Sequence, residues 1–106
     1  MAAEDELRCG WYENPRPKTH FLTDADGEWT IASPGLEAKG FADLPRASFD
    51  FGSAWVIVNG AYGYGCACIQ GEFGPVGSGR ILEVHELKPL PLSRCARDPA
   101  LPEASG

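Results

Sequence analysis

The stretch NGAYGYGCACIQG, residues 59 to 71, decides how this chain is read. It holds two of the four cysteines and two of the three tyrosines, interleaved with Gly60, Gly63, Gly65 and Gly71. Glycines this dense leave little room for a regular helix, and inside a strand they mark bends, bulges or close backbone approaches. On an extended strand the thiols of Cys66 and Cys68 project from one face. A bridge between the two would sit at the far limit of acceptable Cα separation, so both need partners elsewhere. Cys9 and Cys95 lie near the two chain ends. The expectation is a bent, crowded strand that anchors both ends, through Cys9 to Cys66 with Cys68 to Cys95, or through the crossed alternative.

An even cysteine count in a short chain is the signature of a disulfide framework in an oxidising compartment. In the chain-entropy model each long loop so closed contributes on the order of 3 to 4 kcal/mol. The opening MAAEDEL reads as an initiator Met before the acidic start of a mature exported protein whose leader has been removed. No apolar run reaches the length of a membrane span. The chain has 106 residues, enough for one domain with a modest core, and its 13 glycines and 9 prolines make it rich in turns. A net charge of −6 with scattered Lys and Arg argues against nucleic acid.

Outward from the central stretch, the period-2 signal recurs. HFLTDADGEWTIAS, residues 20 to 33, reads as a hairpin about an Asp-Ala-Asp-Gly turn, with Trp29 and Ile31 alternating against Glu28 and Thr30. RCGWYENPRP, residues 8 to 17, reads as a pinned loop or short edge strand because of its two prolines. Residues 34 to 52 form a long excursion with one helical turn seeded at Leu44-Pro45. AWVIV, residues 54 to 58, reads as a buried strand, and Asn59-Gly60 as a tight hairpin turn. RILEVHEL puts Leu82 and Val84 on one face and Glu83 and His85 on the other, and this strand is expected to pair with Tyr62 to Ile69. KPLPLSRC favours an extended path that leads Cys95 back across the sheet. The sum is an all-β fold with little helix, a small disulfide-stapled barrel or sandwich, OB-like favoured. Residues 1–7 are expected to be a disordered start, 8–96 a single β domain and 97–106 a loose tail.

No catalytic, cofactor or metal site stands out. Asp24 and Asp26 before Gly27 resemble the opening of a calcium loop, but Gly35 occupies the place of its closing glutamate, so a hairpin turn is the better reading. Four cysteines with His20 or His85 fit zinc poorly, because structural zinc uses cysteines two to four residues apart in pairs. His85 beside Glu83 and Glu86 offers a general base for a hydrolase, yet a solvated strand face is the better explanation. Trp11, Tyr62 and Tyr64 are the candidate binding surface, since rigid aromatics on a stapled scaffold lose little entropy on binding.

Taken together, RCGW at 8 to 11, Asn14-Pro15, LTD at 22 to 24, DGEWTI at 26 to 31, YGYGCAC at 62 to 68 and PLPLSRC at 89 to 95 resemble a family of small exported bacterial proteins known only as a domain of unknown function. The chain departs from it at Arg16-Pro17 and His20-Phe21, where the family shows Thr-Pro and a tryptophan pair. The resemblance implies an envelope or secreted location and supports disulfides; it carries over no catalytic residue. The functional expectation is a non-enzymatic periplasmic or secreted binding domain, an inhibitor or immunity-type partner of an envelope enzyme or toxin. The alternatives are a small-ligand or glycan binder using Trp11, Tyr62 or Tyr64, and a hydrolase using His85.

Overall fold

In the computed structural model, which describes residues 4–103, the stretch that opened the reading becomes β6, Tyr62–Phe73, and it is paired along both edges. On one side lies β1, Glu4–Arg16, in an unbroken antiparallel register from Glu4↔Phe73 to Asn14↔Gly63. The other edge is shared. Its first part takes β5, Val56–Asn59, and the remainder, Cys66 to Phe73, takes β7, Ile81–Leu90. β1 also pairs with β2, Thr19–Asp24, which forms the expected hairpin with β3, Gly27–Ser33, and β4, Leu36–Glu37, adds a short edge.

The sheet curls until its ends meet. Thr30 of β3 bridges Arg80 in parallel, its amide donating to the Gly79 carbonyl at 2.8 Å. Lys39 docks along β7, accepting from the Val84 amide at 2.7 Å and donating to the Leu82 carbonyl at 3.0 Å. The ring thus runs β1, β2, β3, β7, β6 and back to β1, with a parallel seam, which is the OB-like arrangement as an open, curled antiparallel half-barrel.

The alternation of side chains explains the core. Odd residues of β6 face inward, so Ala67, Ile69 and Phe73 meet Tyr12, Leu22, Trp29, Ile31, Val84 and Leu87. Even residues face outward, where Cys66, Trp11 and Cys95 form a second cluster beneath α1, Leu92–Ala96, with Tyr64, Leu90 and Leu101. Trp11 and Tyr12 are neighbours in sequence and are buried on opposite faces of one strand. Gly63 and Gly65 are glycines for want of space. A Cβ at 63 would collide with the Val56 carbonyl oxygen, and one at 65 would sit 2.6 Å from Cδ2 of Phe51.

Several elements differ from expectation. β1 is a long central strand, and residues 4 to 7, expected to be disordered, pair with residues 70 to 73; residues 1 to 3 and 104 to 106 lie outside the described part. Pro15 is tolerated because the β6 ladder ends at Asn14 and the β2 ladder is bulged between Glu13 and Arg16. β5 is an exposed edge, not a buried strand, with Ile57 66% and Val58 52% exposed, and the hairpin turn falls at Gly60-Ala61. On β7, Leu82 and His85 are extra residues at two bulges, so the buried positions are Ile81, Val84 and Leu87 rather than an alternating set. Beyond Pro91 the chain turns into α1 instead of an extended path, and Trp11 Nε1 donates to the Pro102 carbonyl at 2.9 Å, so the segment after Ala96 is held against the sheet. No helix among the described residues is long and apolar enough to cross a membrane.

The disulfides follow the crossed pattern. Cys9 and Cys68 are direct cross-strand partners, and Cys66, opposite Trp11, reaches Cys95 of α1.

Candidate functional site

The excursion between β4 and β5 folds into three 3-10 turns, Phe41–Asp43, Arg46–Phe49 and Gly52–Ala54. These carry Phe41, Phe49, Phe51 and Trp55 over one end of the half-barrel, where they frame a groove of about 630 Å³ with Tyr12 and His20. Phe51 stacks parallel to Tyr12, ring centres 5.6 Å apart and planes 4° apart, in the space that Gly65 leaves. Trp55 leans on Phe51 at 5.1 Å, its indole N–H held by the Ala61 carbonyl at 3.1 Å. Phe41 meets Phe49 edge-on at 5.6 Å and His20 at 4.8 Å. Offset and edge-to-face rings of this kind each add about 0.5–1.5 kcal/mol beyond area burial. Asn14, Glu37, Asp50 and Leu44 complete the lining.

At the floor, the Tyr12 hydroxyl and His20 Nδ1 are 2.6 Å apart. Burial pushes the Tyr12 phenol well above its ordinary value and the His20 imidazole below its own. Near neutral pH the phenol therefore keeps its proton and the imidazole is neutral, and one hydrogen bond joins the phenol oxygen and Nδ1, its donor set by the imidazole tautomer. The sign for stability follows. Unfolded His20 takes up a proton below about pH 6.5 while folded His20 resists it, so acidification through that value favours unfolding. Thermal unfolding should show a midpoint that falls from pH 7 to pH 5, with a flatter profile in His20→Gln; equal slopes in the two proteins would refute the assignment.

The structure brings together two of the three residues expected to form a binding surface. Trp11 is buried, 5% exposed, with Tyr64 edge-on at 5.5 Å, and the two line a smaller hollow with Cys95, Leu101 and Pro102. Tyr62 is half-buried elsewhere on β6. His85 is exposed on the outer face, Nδ1 3.3 Å from Asp5 and Nε2 3.7 Å from Glu83, and its ligand atoms lie within 4.8 Å of those of Glu72 and Glu83. The Asp24-to-Gly27 segment is a hairpin turn in which Asp24 Oδ1 accepts from the Asp26 amide at 2.9 Å and from Trp29 Nε1 at 3.0 Å. The groove itself was missed. Its one sequence signal was the run of aromatics at 41, 49, 51 and 55 in a segment too rich in turns to be a core strand.

Fold and groove together define a small, doubly disulfide-bonded, OB-like β domain with an aromatic cleft at one end. The chain belongs to the family described as a protein of unknown function, DUF4087, whose model matches residues 3–102. Neither a curated protein nor a solved structure matches it.

Proposed function

We propose that this domain is a non-enzymatic binding module of an oxidising compartment, periplasmic or secreted, that holds the apolar part of a small ligand in the groove between Tyr12, Phe49, Phe51 and Trp55. The observation that carries the reading is the groove: about 630 Å³, ring-lined and with few polar groups, it lies within the roughly 300–1,000 Å³ typical of small-molecule sites. The two disulfides support the compartment. A screen of small aromatic and aliphatic compounds by amide chemical-shift mapping should give hits clustered on residues 12, 20, 41 to 55 and 61. Phe49, 37% exposed, contributes to the wall more than to the core. Phe49→Ser should therefore weaken those hits about tenfold, the scale of losing one buried aromatic contact, while leaving the fold intact. Hits spread over the surface, or unchanged in Phe49→Ser, would remove the support.

A partner protein is the second reading, favoured by β5. This edge strand, which runs between the groove-lining Trp55 and Ala61, exposes Ile57 and Val58 and has its outer backbone unpaired among the described residues, a template for strand addition.

A further inference from the structure

We propose that the ligand the groove accepts is an organic cation, a methylated ammonium group on a short apolar stem; this rests on the groove being a ligand site. Charge is the first observation. The carboxylates among the groove's lining residues are Glu37 and Asp50, and neither lysine nor arginine lines it. Lys18 lies in the neighbouring hollow, which shares His20 and Glu37 with the groove. The chain as a whole carries a net charge of −6. An anion would meet two carboxylates, and a neutral ligand would leave them unused.

The rings are the second observation. Tyr12, Phe41, Phe49, Phe51 and Trp55 line the groove, and aromatic faces attract a cation. The degree of methylation follows from the polar groups. A primary ammonium brings three N–H donors that need acceptors once desolvated. Within the groove such acceptors are scarce. Asn14, whose amide nitrogen donates to the carbonyls of Arg16 and Thr19, leaves its Oδ1 as an acceptor, and the Tyr12 oxygen beside His20 is a second, which are too few for three N–H groups. Glu37 and Asp50 are exposed at the rim, where they attract charge at longer range. A methylated ammonium keeps its charge and presents only methyl groups to the rings.

The test compares choline with 3,3-dimethylbutan-1-ol, its neutral isostere, by calorimetry and amide chemical-shift titration of the whole chain. Choline should shift residues lining the groove and bind about tenfold more tightly than the alcohol, the scale of a partly desolvated cation–π contact. Glu37→Gln with Asp50→Asn should narrow that ratio several-fold without altering the fold, since both side chains are exposed. If the alcohol binds as well as choline, the groove is a ligand site and the cation inference falls. If neither shifts a groove residue, both readings fall. Sedimentation with phosphatidylcholine vesicles that free choline abolishes would identify the cation's source as a lipid headgroup; choline binding without sedimentation would identify a free solute.

Discussion

Reduced and alkylated protein is expected to be unfolded at 37 °C. The Cys9–Cys68 bridge spans 59 residues and the Cys66–Cys95 bridge 29, and for loops of that size the chain-entropy model gives about 4 kcal/mol each. The net stability of a domain is about 5–15 kcal/mol, so losing both bridges removes most or all of it. The two are not equivalent. Cys66 and Cys95 are 1% and 3% exposed beneath α1, and replacing both with Ala loses packing as well as the link. Cys9 is exposed and Cys68 half-buried, so a gentle reductant should open this bridge first. Denaturant unfolding of Cys9→Ala with Cys68→Ala, and of Cys66→Ala with Cys95→Ala, should show the larger loss for the second pair. A reduced chain that still unfolds cooperatively near the native midpoint would contradict the whole account.

Arg8→Met should cost about 3 kcal/mol, the lower end for removing one partner of a buried ion pair. Arg8 is 13% exposed. Its guanidinium reaches Asp24 at 3.0 Å, Asp26 at 2.7 Å and Glu6 at 2.8 Å, and lies over Trp29 and Phe73 at 4.5 and 5.4 Å. Without it the Asp24 carboxylate, 6% exposed, keeps its bonds to Trp29 and to the hairpin turn but loses its countercharge. Arg8→Lys should recover little, because an ammonium cannot fork between carboxylates while stacking on an indole. Asp24→Asn in the Arg8→Met background should restore part of the loss. A change below about 1 kcal/mol in Arg8→Met, the scale of an exposed pair, would mean that solvent already screens the network.

The hairpin of residues 20 to 33 was legible because one of its faces is buried and the other wet, which leaves the alternation visible. β1 was not, because both of its faces are covered in the middle and Trp11 and Tyr12 then read as one apolar pair. AWVIV shows the opposite error. A short apolar run states hydrophobicity but not which neighbours cover it, and here β6 covers one edge only. The period of β7 was lost to bulges at Leu82 and His85, which no local signal marks. The groove was not legible in the same way. Trp11, Tyr62 and Tyr64 stood out beside cysteines and glycines, whereas the groove gathers Tyr12 and His20 from β1 and β2 with rings from residues 41 to 55, and only the curled sheet brings these together.

The pairing of β1 with β6 also sets how this chain would misfold. A slip by one residue would turn every side chain to the wrong face, so the hydrophobic pattern forbids it. A slip by two residues keeps each face intact and brings Cys9 opposite Cys66, leaving Cys68 for Cys95. Oxidation in that register would trap a non-native disulfide isomer with its core displaced by one pleat. Escape then requires thiol exchange through a mixed disulfide, the reaction that an isomerase or a thiol redox buffer supplies.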